Sequence, residues 1–201
     1  MHRFPFPVRF LTLGLLLVAP VLAQAKSTDA SEYLNPDKIV ITNLVPDVPK
    51  PDSQMQADDM AVLLWLQQSR TPEQVATAQQ YSDLGIELYI DIIAADLEKD
   101  WKPETVKHMF EEVTEAIHPL VIKAKDTYGR TRPYAANLAI QPCVPLEETS
   151  SYPSDHATYG ILFAHLLADM MPQHKEALLE RGKLIGTCRA IGGVHYPSDI
   201  L

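Results

Sequence analysis

Basic residues are in short supply: 17 Lys and Arg stand against 26 Asp and Glu, for a net charge of −9. A chain of that sign has no general attraction for nucleic acid or for an anionic membrane. Two cysteines are too few for a disulfide-dense scaffold or a four-cysteine zinc site. Eight glycines in 201 residues exclude a collagen-like repeat. After residue 25 no apolar run reaches the roughly 18–20 residues of a membrane helix. HExxH, EF-hand and Walker patterns are missing too. What remains, at 46% hydrophobic residues, is the composition of one ordinary globular domain. Any anion bound by such an acidic chain must be held by a local cluster of basic groups, so the positions of the few cations carry information.

The first 25 residues read as an export signal. Arg3 and Arg9 form a positive start, Phe10 to Leu22 is apolar, and Ala23-Gln24-Ala25 is a small-x-small cleavage site. Cleavage after Ala25 implies a periplasmic or secreted protein in an oxidising compartment. Residues 26–54 carry Pro36, Pro46, Pro49 and Pro51 and are expected to form an extended arm, with Ile39-Val40-Ile41 as a short strand. Residues 55–201 then make a helical domain.

Within that domain Met60, Leu63, Leu64 and Leu66 fit a short helix. Thr71-Pro72 is an N-cap followed by proline at the first helical position. Tyr81, Leu84, Leu88, Ile92 and Ala95 continue the spacing as one long stripe. A helix from Pro103 carries Val106, Phe110, Val113, Ile117, Leu120 and Ala124, with Pro119 expected to kink it. Tyr134 to Ser151 reads as loop, Asp155 to Met171 as helix, and Lys175 to Gly186 as a last helix. The fold class is all-α, a helical bundle.

Three segments hold the chemistry. Lys125 and Arg132-Pro133 follow the long helix. Pro153-Ser154-Asp155-His156 is a loop running into a helix, whose free N–H groups and positive dipole end favour an anion. Arg189, His195 and Asp199 close the set. Two planar guanidinium forks and an ammonium can grip a tetrahedral oxyanion. Asp199, four residues after His195, can fix one imidazole nitrogen and leave the other free as a nucleophile.

These nine positions, Lys125, Arg132, Pro133, Pro153, Ser154, His156, Arg189, His195 and Asp199, resemble the three-part signature of the PAP2/haloperoxidase superfamily in order and internal spacing. The leader, Gln141-Pro142-Cys143 and Ser151-Tyr152-Pro153-Ser154 resemble, more narrowly, the bacterial class A non-specific acid phosphatases. The resemblance implies a helical bundle that hydrolyses small phosphomonoesters through a phosphohistidine. Lys125, Arg132, Arg189 and the backbone of Ser154 and Asp155 would bind phosphate, His195 would attack, and His156 would protonate the leaving alcohol. It implies no metal or other cofactor, inhibition by phosphate or vanadate analogues, and self-association as a homo-oligomer; the acidic charge and the lack of a spanning run after residue 25 imply no nucleic acid partner and no stable membrane insertion.

Vanadate-dependent haloperoxidase and non-catalytic phosphate-binding relative are the alternative readings. Asp155 stands where the signature has Gly and is expected to point away from the anion or to bond near the helix start. Cys188 stands in the place of a Ser. A Cys143–Cys188 bridge would staple two site segments, and spacing alone leaves bridged and free thiols both open. Pro197-Ser198-Asp199 opens a helix with no body, which reads as a fragment lacking its final helix; otherwise Asp199 would sit on a fraying terminus.

Overall fold

The computed structural model describes residues 35–99 and 101–200. The expected export signal and the start of the arm lie outside these residues. Seven α-helices form within them: α1 (Gln54–Ser69), α2 (Pro72–Gln80), α3 (Ile90–Lys99), α4 (Pro103–Tyr128), α5 (Pro133–Ala136), α6 (Asp155–Met170) and α7 (Lys175–Ile191). Among the described residues there is no strand. Ile39-Val40-Ile41 is not one: Ile41–Asn43 closes a 3-10 turn instead, with only Ile41 buried. With no strand alongside among the described residues, the Ile39 N–H donates to Pro36 O, and the Val40 and Ile41 carbonyls accept from the Asn43 and Leu44 N–H groups. This stretch lies along α4, where Lys123 Nζ donates to Pro36 O (2.6 Å) and Ile39 O (3.0 Å) and Tyr128 Oη to Val45 O (3.1 Å).

Helix starts follow their caps. Ser53 accepts from the Gln56 N–H at α1, and Thr71 and Gln74 form a reciprocal capping box at α2. The long stripe expected through Tyr81 and Ala95 is broken. α2 ends at Gln80, a 3-10 turn covers Ile86–Leu88, and α3 starts at Ile90. Ser82 and Asp83 favour turns over helix interior, and Ser82 Oγ donates back to Ala78 O. Tyr81, Ile86, Leu88, Tyr89 and Ile93 are buried all the same, so the apolar spacing is real although the helix is not continuous. α4 runs through Pro119 and ends at Gly129, whose φ of 56° is the left-handed conformation glycine adopts freely.

α6 is the centre of the bundle. Tyr159, Phe163, Ala164 and Leu167 are buried, the Phe163 ring stacks on Phe110 of α4 at 3.9 Å, and Tyr89 Oη donates to Gly160 O (2.5 Å). α7 lies directly against α6 because small residues meet there. A Cβ on Gly182 would come 2.9 Å from both the Gly160 carbonyl and the Ala164 Cβ. Gly182→Ala is therefore expected to destabilise the fold by about 1–3 kcal/mol, read as a lower denaturation midpoint in urea. An unchanged midpoint would show that the helices can part at no cost. α7 also extends past Gly186 to Ile191, which carries Arg189 on its last turn beside the first turn of α6. Arg70 Nη1 donates to Ile191 O (2.9 Å) at that helix end.

Candidate functional site

Four chain segments meet where α4 ends, α6 begins and α7 ends. Lys125, on the last turn of α4, is 2% exposed, and its Nζ donates to Ser150 O and Pro153 O, both at 2.9 Å. Burial lowers its pKa, and Asp155 opposes that shift. Arg132, the residue before α5, donates from Nε to Thr149 O (2.8 Å) and from Nη1 to Val194 O (3.0 Å). Ser154 caps α6 by accepting from the Ala157 N–H (3.2 Å). Arg189 is almost completely buried, and its Nε and Nη1 have no hydrogen-bond partner.

The two imidazoles are fixed in opposite ways. His195 is fully buried, with Nδ1 3.3 Å from Asp199 Oδ2 and Nε2 accepting from Arg132 Nη1 (2.8 Å). That pairing puts the proton on Nδ1 and a lone pair on Nε2. His156 donates from Nε2 to Ser82 O (2.9 Å), while its buried Nδ1 is unpartnered. The break after α2 frees this carbonyl, which a continuous helix would have used internally. Ser82 is thus a site residue that sequence reasoning missed.

Glu147 was missed as well, and it sits at the centre. Its carboxylate accepts from Arg132 Nη2 (2.6 Å) and Arg189 Nη2 (2.5 Å). The same group lies 3.8 Å from His195 Nε2 and 3.8 Å from His156 Nδ1. Both guanidinium groups and both rings therefore converge on one oxyanion, which here belongs to the chain itself. Burial works against the Glu147 charge, but His195 and Arg132 outweigh it and hold the carboxyl well below the usual carboxylate range.

Asp155 does not point away. Its Oδ1 accepts from the His156 N–H (3.2 Å) at the helix start, as expected, but also lies 3.8 Å from Lys125 Nζ, 3.5 Å from His156 Nδ1 and 3.9 Å from His195 Nε2. The cations and rings on that side attract it inward. Burial opposes its ionisation, and the His156 bond with the Lys125 charge more than reverses this. Glu147, Asp155 and His195 offer ligand atoms within 4.8 Å of one another. With two guanidinium groups on Glu147 and an ammonium beside Asp155, that corner repels a cation and suits an anion.

Asp199 is 3% exposed and is anchored rather than frayed. Ser151 Oγ (2.5 Å) and the Tyr196 N–H (2.8 Å) donate to its Oδ2, and Arg130 Nη1 donates to Oδ1 (2.5 Å). Burial opposes its charge, and His195 and Arg130 prevail and lower its pKa. The Cys143–Cys188 bridge is not formed. Both are free thiols; Cys188 faces the core, where burial pushes it up to about 11, and Cys143 Sγ lies 3.9 Å from Ile191 O.

Glu147, Asp155 and Asp199 all have folded pKa values below the unfolded ones. Their stabilisation is complete above the ordinary carboxylate range and drains as pH falls through it toward the depressed values. The melting temperature is expected to hold from neutrality to about pH 5 and to fall steeply below about pH 4, less steeply in Glu147→Gln. A stability loss completed between pH 7 and 5 would contradict this.

A cleft of about 340 Å³ bordered by Ser82, Glu147, Asp155, His156 and Arg189 leads to these groups. A larger apolar groove of about 680 Å³ between α4 and α6, against Phe110, Pro119 and Phe163, is lined by none of the nine motif positions.

The fold and the site together define a helical bundle that presents a buried oxyanion cage to two opposed imidazoles. The sequence pattern of the PAP2 superfamily matches residues 113–201, the stretch that holds all nine motif positions. It is similar to the non-specific acid phosphatase of Salmonella typhimurium, 30% identical over 132 residues covering 61% of this chain and 52% of that protein. The acid phosphatase of Zymomonas mobilis is 27% identical over 202 residues, covering 94% of this chain and 75% of the relative. The non-specific acid phosphatase of Providencia stuartii is 33% identical over 107 residues, covering 51% and 43%. The chain thus spans about half the length of the first of these relatives. Among solved structures, the transmembrane PAP2-type phosphatidylglycerolphosphate phosphatase of Bacillus subtilis has the same fold, with a TM-score of 0.52 at 22% identity over 75% of this chain and 79% of that one. Among the described residues of this chain, no helix is long and apolar enough to cross a membrane.

Proposed function

We propose that this chain is an exported acid phosphatase that hydrolyses small phosphomonoesters through a phosphohistidine. The observation that carries the reading is the clamp on Glu147: two arginines hold one carboxylate while a ring nitrogen faces it from either side. A substrate phosphoryl group would take the place of that carboxylate. Arg132, Arg189 and Lys125, with the positive dipole end of α6, would then stabilise charge on the phosphoryl oxygens. His195 Nε2 forms a bond to phosphorus as the ester P–O bond breaks, and His156 Nδ1 gives its proton to the departing alkoxide. Water then attacks phosphorus, His156 takes a proton from it, and the N–P bond breaks to release phosphate. Side-chain cations supply the charge, so no step needs a metal.

His156 must start protonated and His195 neutral, so activity is expected to peak on the acidic side of neutral. The test is hydrolysis of p-nitrophenyl phosphate across pH with a metal chelator present. Turnover with an acidic maximum is the expected result; an alkaline maximum, or turnover abolished by chelator, would contradict the scheme. Asp155 and Glu147 in the cage favour one second reading, a protein that binds phosphate without hydrolysing it. Tight phosphate binding with no turnover at any pH would select it. Export rests on residues 1–25, with cleavage after Ala25.

A further inference from the structure

We propose that Asp59 on α1 and Arg130 in the turn after α4 are positioning residues for His195, acting through the Asp199 carboxylate. The inference rests on the reading of His195 as the nucleophile. Neither residue touches the oxyanion cage. Arg130 is nevertheless 7% exposed and Asp59 6%, buried charges that the hydrolysis scheme does not use.

Arg130 divides its fork between two carboxylates. Nη1 donates to Asp199 Oδ1 (2.5 Å) and Ser198 Oγ (2.8 Å), while Nη2 donates to Asp59 Oδ2 (2.7 Å) and Gln56 Oε1 (2.6 Å). Its guanidinium carbon sits 4.0 Å over the Tyr196 ring. Asp59 also accepts from the Ser198 N–H (3.1 Å) and from the Ser198 hydroxyl. The turn that carries His195, Tyr196, Ser198 and Asp199 is thus held from the α1 side by one buried ion pair.

Two consequences follow for catalysis. First, a carboxylate turns about a single bond. With Oδ1 engaged by Arg130, Oδ2 is presented to the His195 ring along with Ser151 Oγ and the Tyr196 N–H. Second, Arg130 alone would draw charge away from the Asp199–His195 contact, and Asp59 offsets that pull. The charged and titratable groups facing His195 are Asp199 at Nδ1, and Arg132, Glu147 and Asp155 at Nε2. Asp199 in turn faces Arg130. Asp59 connects to this set through the Arg130–Asp199 link and through its bonds to Ser198, the residue next to Asp199.

The test compares the full chain as wild type, Asp59→Asn, Asp59→Glu and Arg130→Lys in p-nitrophenyl phosphate hydrolysis, with rates normalised to folded protein. Asp59→Asn keeps the shape and removes the charge. The expected result is a kcat roughly 10-fold lower with KM unchanged, because the cage is untouched. The acid limb of the kcat/KM profile should move to lower pH, since an uncompensated Arg130 opposes a positive ring. Asp59→Glu should restore that limb. Arg130→Lys keeps the charge but cannot fork to both carboxylates, so it should lower kcat and leave the limb in place. Should Asp59→Asn fail to fold, Arg130→Lys alone decides through its kcat. Variants with lower thermal stability but wild-type kcat and pH profile per folded molecule would overturn the proposal, because a structural ion pair predicts only that. Failure of the underlying reading shows separately, as wild-type turnover that survives His195→Ala.

Discussion

His195→Ala is expected to lower turnover of p-nitrophenyl phosphate by at least roughly 10³-fold while phosphate still binds. The ring contributes the lone pair that attacks, and among the described residues its Nε2 is the only imidazole nitrogen held between Arg132 and the anion position. Nothing adjacent can replace it. Asp155 Oδ1 lies 3.9 Å from the same nitrogen, but Lys125 and His156 hold its charge, so it is a poor nucleophile. Because Arg132 and Arg189 remain, phosphate affinity should change far less than turnover. Isothermal titration with phosphate and rapid-quench kinetics on the same preparation separate the two effects. Equal losses in binding and turnover would mean that His195 builds the cage rather than attacks.

Glu147→Ala should act in the opposite direction on affinity, tightening phosphate and vanadate binding by roughly 10- to 100-fold. The Glu147 carboxylate bridges Arg132 at 2.6 Å and Arg189 at 2.5 Å. Both are charge-assisted bonds, which an incoming phosphate must displace. Removing the carboxylate removes this internal competitor and one negative charge facing a dianion. The two buried guanidinium groups then lose the carboxylate that bridges them, so the variant should be less stable without phosphate and gain more from it. The midpoint shift on adding phosphate reports both effects in one melt. Weaker phosphate binding in Glu147→Ala would show instead that Glu147 helps to hold the ligand.

Much of the architecture was legible from local chemistry. Thr71-Pro72 and Ser154 mark helix starts because their side chains satisfy free N–H groups, and both do so in the structure. The stripe through Tyr81 and Ile92 misled because two short helices and a turn can bury the same side chains as one long helix. Ser82, Asp83 and Gly85 were the available signal against continuity. The motif positions come from three separate segments of sequence, and the antiparallel packing of α6 on α7 brings His156 and Arg189 to the same end. Glu147, Arg130 and Asp59 had no motif to announce them, since their roles depend on which segments meet in space. Asp59 did carry a trace. It stands four residues before the buried Leu63, an acid on the apolar face of α1, and an acid there needs a partner. The inward turn of Asp155 depends on the summed charge of Lys125, His156 and His195, which spacing alone does not give.

The most direct test of the account is the covalent state of His195 during turnover. The full chain is mixed with p-nitrophenyl phosphate near its pH optimum, quenched within milliseconds in base, where phosphohistidine survives, and analysed by peptide mass spectrometry. Phosphate on the peptide bearing His195, bonded at Nε2, discharged by acid and missing from His195→Ala, is the result expected. Rapid turnover with no phosphorylated peptide, or phosphate found on His156 instead, would contradict it.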